Sequence, residues 1–141
     1  MISVEEARQK ILYGLGPQGR ETLMLMACAD RVLAAPVLAR RTQPPADFSA
    51  MDGYAIRAAE SHVPDQKLFL AGMSRAGAGF DGSLQAGSAI RIFTGAPLPD
   101  GADAVIMQEQ TEPCDDQHVI VHKRVEPGAN IRRKGLDFTL G

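Results

Sequence analysis

Three segments combine polar side chains with glycine in a way that could hold a small ligand. They are Ser49-Ala50-Met51-Asp52-Gly53-Tyr54-Ala55, Phe93-Thr94-Gly95-Ala96-Pro97-Leu98-Pro99 and Gly128-Ala129-Asn130-Ile131-Arg132-Arg133-Lys134-Gly135-Leu136-Asp137. Glycine lacks a Cβ, so the backbone beside it can approach a ligand closely. Taken singly, each segment is also an ordinary turn, because Asp-Gly and Thr-Gly are common turn chemistry. Their combination is what points to a site. Within the third, the run Arg132-Arg133-Lys134 has two readings: a solvated loop, or an anion site in which arginine presents its planar fork of donors to phosphate.

Other patterns carry less. Gly77-Ala78-Gly79-Phe80-Asp81-Gly82 spells G-x-G-x-x-G, with Asp103 further on. A dinucleotide site needs a helix starting at those glycines. The residues that follow, Ser83 to Phe93, include another glycine and run into a strand, so a Gly-rich hairpin turn is expected instead. His118 and His122 flank Val119-Ile120-Val121, which favours a strand. Four residues of strand span about 13 Å along one face, too far for both rings to reach one metal ion. Cys28 and Cys114 stand apart with no C-x-x-C, and read as reduced thiols rather than a disulfide.

The elements that must position the three loops follow from periodicity. Ser3 and Glu6 form a capping-box pattern, and Val4, Ala7 and Ile11 recur at helical spacing, which predicts a helix over Ser3–Tyr13. Gly14, Gly16, Pro17 and Gly19 end it. A short helix over Ala27–Ala34 is expected next, stopped by Pro36, then an extended run through Val37 and Leu38. Pro44-Pro45 marks a domain junction. Beyond it, apolar runs at Tyr54–Ile56, Leu68–Ala71, Ala89–Phe93, Ala104–Met107 and His118–Val121 predict strands. Turn clusters at Asp81-Gly82, Pro99-Asp100-Gly101, Asp115-Asp116 and Pro127-Gly128 separate or close them. The fold class expected is α+β, mostly β.

Composition bounds the function. With 141 residues the chain has room for one ordinary domain or two small ones. Fourteen glycines and nine prolines favour a turn-rich, strand-rich fold. A net charge of −2, from 15 basic and 17 acidic residues, implies no general affinity for nucleic acid or anionic membranes. Acids stand in the opening MISVEEARQKIL where a signal peptide carries basic residues, and no stretch approaches the ~20 apolar residues of a membrane span. A cytoplasmic address is expected.

Taken together, the three loops resemble the molybdopterin molybdenumtransferase family, which includes MoeA and a domain of gephyrin. The family carries a motif close to S-A-M-D-G-Y-A, present here at Ser49–Ala55. It carries I-x-T-G-A-P-x-P-x-G-A-D-A-V-x-M-Q-E, which runs here from Ile92 to Glu109, and G-x-N-x-R-x-x-G-E-D, met from Gly128 to Asp137. The opening SVEEARQKIL and ADRVLAAPV also resemble the family's start. Ala46-Asp47-Phe48 stands where the family often has Phe-Asp-Asn, and Leu136 where it usually has Glu, which removes an amide contact and a carboxylate beside Asp137.

The resemblance implies a MoeA N-terminal-region-like fold. Its first domain is elongated and discontinuous, here residues 1–44 with 127–141, beside a compact β domain at 45–126. It implies an enzyme of molybdenum cofactor biosynthesis that inserts molybdate into adenylylated molybdopterin with Mg²⁺, and a homodimer. Carried over residue by residue, Asp52, Thr94 and Asp137 would be catalytic, with Asp52 and Asp137 at the Mg²⁺. Ser49, Gly95, Arg132 and Arg133 would bind substrate. The family's pterin-binding domain has no counterpart in this sequence, so the isolated chain is expected not to turn over. The alternative is a non-catalytic dimerisation or interaction module that keeps the family scaffold.

Overall fold

The structure is a computed structural model that describes residues 1–16 and 19–141. By internal contacts it divides into two units, Met1–Leu38 and Ala39–Gly141. In the first, helix α1 spans Val4–Leu12. The expected capping box is formed: Glu6 N–H donates to Ser3 Oγ at 3.1 Å, and Ser3 N–H donates to the Glu6 carboxylate at 2.8 Å. Gly14, at φ 82°, follows the helix end; Pro17 lies outside the described residues.

The helix expected over Ala27–Ala34 is not formed. A 3₁₀ turn occupies Leu25–Ala27 instead, and Asp30 takes a left-handed φ of 60°. One left-handed residue breaks the i→i−4 ladder, and aspartate is among the residues that tolerate that conformation best. Val37 and Leu38 belong to no strand.

In the second unit the five expected strands all form, and three more join them. β1 is Phe48–Ser49, β2 Gly53–Ile56, β3 Gln66–Ser74, β4 Ser88–Ile92, β5 Ala104–Met107, β6 Thr111–Asp115, β7 His118–Val121 and β8 Ile131–Arg132. A six-stranded sheet runs in the order β5-β2-β4-β3-β7-β6, and β1 pairs separately with β8. Only β3 and β4 are parallel; the other ladders are antiparallel.

Side-chain alternation along the strands splits the core between two clusters. Tyr54, Ile56, Leu68, Ala89, Ala104, Ile106, Val119 and Val121 pack in one, and Ala55, Leu84, Ile90, Ile92, Ala96 and Val105 in the other. Burial of every residue from Gly53 to Ile56 follows, because β2 lies between β4 and β5 and contributes to both clusters. The mostly β, α+β class read from the sequence is the one observed.

The G-x-G-x-x-G segment begins in a tight turn, in which Arg75 and Ala78 exchange backbone hydrogen bonds of 2.9 and 3.0 Å. No helix starts there. The expected hairpin needs one correction, since the segment belongs to the crossover between the parallel strands β3 and β4. Phe80 closes the crossover: a Cβ on Gly72 would meet its ring at 2.5 Å, and one on Gly82 at 3.1 Å.

Sequence pattern missed β6 because Pro113 and the acids Glu112 and Asp115 disguise it. Proline is tolerated there because β6 is an edge strand with no neighbour on its outer side. Asp115 closes this edge, bonded to His118 Nδ1 at 2.7 Å and to Lys67 Nζ at 3.2 Å. The His118 hydrogen bond, then the backbone N–H of Gln117, draw its pKa down from 3.8 to about 2. A folded pKa below the unfolded one contributes stability that is present above pH ~4 and lost as pH falls through about 2. The thermal midpoint of Asp115→Asn should therefore lie below the parent's at neutral pH and converge with it near pH 2. A constant gap down to that pH would refute the assignment.

His122 is held separately, by Asp65 at 2.7 Å and Glu112 at 3.4 Å, so His118 and His122 have different acidic partners. Cys28 and Cys114 are both free thiols.

Candidate functional site

The β2–β4 register assembles the first half of the site. Gly53 lies opposite Ile92, so the residues just beyond those strand ends, Asp52 on one and Phe93-Thr94 on the other, must meet. Asp52 Oδ1 accepts two hydrogen bonds from Thr94, from N–H and Oγ1–H, both 2.8 Å long. Thr94 and Gly95 are the central residues of a turn closed by Ala96 N–H on the Phe93 carbonyl. Gly95 takes φ 78°, the left-handed value that the third position of a type II turn requires. On the other side of β2, Gly53 lies opposite Met107, and Gln108 N–H donates to the Asp52 carbonyl at 3.1 Å. The Thr94 backbone N–H, then its hydroxyl, hold the Asp52 carboxyl below its ordinary 3.8, and the charge of Arg91 adds to this. Asp52 is exposed and anionic at neutral pH.

The third loop docks on the first through β1 and β8, where Phe48 faces Arg132 and Ser49 faces Ile131. Asn130 is the pivot. Its backbone is left-handed at φ 55°, its carbonyl accepts from Ala50 N–H at 2.9 Å, and its Nδ2 donates to the Val105 carbonyl at 2.8 Å. Asp47 clasps the basic run, accepting Lys134 N–H at 2.7 Å and Arg133 Nη1 at 2.6 Å. The Lys134 backbone bond is the main cause of its lowered pKa, with partial burial opposing and Arg133 assisting. Arg132 Nη2 meets both oxygens of Asp137, at 2.6 and 2.7 Å.

A groove of about 410 Å³ opens between these loops. Pro44 and Phe48 give it apolar wall, and Ser49, Thr94, Gly95 and Arg132 line it. Asp52 is bonded to one lining residue, Thr94, and Asp137 to another, Arg132. The loops of Asp52, Thr94 and Asp137 therefore come together across a long stretch of sequence. Arg133 does not line the groove; it is turned to Asp47. Ser49 is buried, and its hydroxyl donates to the Met51 carbonyl and accepts from Met51 N–H, so it braces the loop. Among the described residues no group of three or more His, Cys, Asp or Glu is placed to hold a metal ion.

Sequence reasoning passed over three residues that build this geometry: Asp47, Arg91 and Asn130. Asn130 carried a usable signal, an asparagine after Gly128-Ala129, since asparagine tolerates the left-handed region. Asp47 falls on the Asp of the family's Phe-Asp-Asn, a signal that gave no partner, and Arg91 carried none, because their partners are distant in sequence.

The chain is similar to known proteins in sequence and in fold. Residues 2–141 match the family described as the MoeA N-terminal region, domain I and II. The chain is 39% identical over 142 residues to the molybdopterin molybdenumtransferase of Haemophilus influenzae, covering 100% of this chain and 35% of that protein. It is 36% identical to the protein of that name from Nostoc sp., over 93% of this chain and 32% of the other. A crystal structure of a molybdopterin biosynthesis MoeA protein from Pyrococcus horikoshii OT3 superposes with a TM-score of 0.75 at 34% identity, covering 86% of this chain and 33% of that one. The chain thus spans about a third of the length of the curated relatives it matches. With the three motifs, the fold and the family match all in agreement, the chain belongs to the MoeA N-terminal region family.

Proposed function

We propose that this chain forms one wall of the site at which a molybdopterin molybdenumtransferase inserts molybdate into adenylylated molybdopterin, a step of molybdenum cofactor biosynthesis. The observation that carries this reading is the groove on which Thr94, held by Asp52, and Arg132, held by Asp137, both open. The substrates are small anions. Arg132 uses Nη2 on Asp137 and keeps further N–H donors of its fork for a phosphate or oxyanion. Asp137 orients that fork. The Thr94-Gly95 turn offers a position where a ligand can approach the backbone, because nothing lies within 4 Å of where a Gly95 Cβ would be.

Asp52 suits a hard cation. It is exposed and anionic, and only its Oδ1 makes hydrogen bonds. Magnesium is commonly held by one or two carboxylates together with waters and substrate phosphates, so a dense protein cage is not required. Asp52 would hold Mg²⁺; Asp137, the second carboxylate of this reading, has both oxygens on Arg132 and would have to share them with that arginine. When bound, the ion would offset the charge on phosphate and molybdate oxygens. Asp52 would orient it, Thr94 would fix Asp52, and Ser49 would keep the loop in shape.

A homodimer is supported by the apolar side chains that Met1–Leu38 exposes, Val4, Ile11 and Leu12 of α1 among them; sedimentation at increasing concentration measures it. A discontinuous first domain of residues 1–44 and 127–141 stays part of this reading; of it, Gln43 and Phe138 pair within Ala39–Gly141. A cytoplasmic address fits two free thiols. The ligand reading is tested by adding Mg²⁺, AMP and molybdate to the chain and following backbone amides by NMR. Thr94, Gly95 and Arg132 should shift together, and less so without Mg²⁺. Shifts confined to other surfaces would refute it.

A further inference from the structure

Arg91 occupies an unusual position for a charged residue. It lies on β4 opposite Tyr54, half-buried, with its guanidinium 5.0 Å from the Tyr54 ring centroid and 4.9 Å from that of Phe93. Nη1 donates to the Gly53 carbonyl at 2.9 Å and Nη2 to Gln108 Oε1 at 2.6 Å. Gln108 in turn gives its N–H to the Asp52 carbonyl. The two peptide carbonyls that follow the Asp52 side chain are thus both tied down, one by Arg91 directly and one through Gln108.

We propose that Arg91 is a positioning residue for the Asp52 carboxylate. It sets the backbone on the C-terminal side of Asp52 so that Oδ1 meets both donors of Thr94. A lysine could not replace it. An ammonium is a point charge without a planar fork, and cannot reach the two divergent acceptors from the same position beside the rings. The rings of Tyr54 and Phe93 hold the guanidinium electrostatically at about 5 Å from each centroid and so help keep it where both acceptors can be reached. The proposal takes Asp52 as the carboxylate of the site, as read above. It concerns the unliganded chain, so its test does not depend on which reaction the site serves.

The test compares Arg91→Lys, Arg91→Met and Gln108→Ala in the full chain by amide NMR and hydrogen exchange. A backbone N–H donated to a carboxylate has a distinctive downfield proton shift, and Thr94 reports it. Both Arg91 variants should lose that shift and exchange Thr94 about tenfold faster, a change on the scale of one hydrogen bond. Gln108→Ala should give a smaller change in the same direction. Val119, in the core and remote from Arg91 in the sheet order, should exchange at the parent rate. Should Arg91→Met not fold, Arg91→Lys and Gln108→Ala decide the matter. An unchanged Thr94 in the folded variants would overturn the proposal. So would equal acceleration at Thr94 and Val119, which would mean Arg91 merely stabilises the fold.

Discussion

Gly53→Ala is expected to destabilise the larger unit by about 3 kcal/mol, the upper end of what an overpacked core normally costs. A Cβ at residue 53 would stand 1.9 Å from the Ile106 carbonyl oxygen and 2.9 Å from its carbon. These are backbone atoms of the paired strand, so no side-chain rotation relieves the clash. β2 is buried on both faces between β4 and β5, which leaves it no direction in which to retreat. Pushing β5 outward would also stretch the bond from Gln108 to Asp52, so the site should loosen with the sheet. The thermal midpoint should fall by roughly 10 °C. Gly95→Ala is the control: its Cβ would meet nothing, and only its left-handed φ is penalised, by about 1–2 kcal/mol. Equal, small losses for the two variants would contradict the packing account.

Asp52→Asn should leave the fold intact while lowering turnover by about 10²–10³-fold in an enzyme that carries this chain, as removal of one charged group aimed at the reacting centre commonly does. Asparagine has the same shape, and its amide oxygen can still accept both Thr94 hydrogen bonds. What it loses is the negative charge needed to hold a cation. Thr94→Val removes the hydroxyl and keeps the N–H, so its loss should be smaller, about tenfold. Steady-state kinetics with adenylylated molybdopterin, Mg²⁺ and molybdate separates kcat from KM. A variant with an unaltered kcat would show that Asp52 has no part in the chemistry.

Much of this arrangement was legible in the sequence. Short apolar runs located β2 to β5 and β7, because those strands supply the two halves of the core. The capping box located α1, because Ser3 and Glu6 satisfy each other locally. What escaped is what depends on partners far along the chain. β1 and β8 are two residues each and exist only because they pair with one another. β6 looks like a polar turn until β7 gives it a ladder. For the site, motif resemblance named Asp52, Thr94, Arg132 and Asp137, but not that Arg132 and Asp137 pair together, nor that Asp47 holds Arg133 away from the groove. Glycine positions were legible; the reason for Gly53 was not, since it lies in the carbonyl of Ile106.

These three loops are proposed to form a working wall of a molybdenum-insertion site. The most direct test of that proposal replaces the matching first third of the Haemophilus influenzae relative with this chain and measures molybdate insertion into adenylylated molybdopterin. The hybrid should be active, and Asp52→Asn within it should abolish most of that activity while the hybrid stays folded, its thermal midpoint lowered only by the loss of the charged carboxylate's bonds to Thr94. A folded hybrid with no insertion, or one indifferent to Asp52→Asn, would contradict the claim.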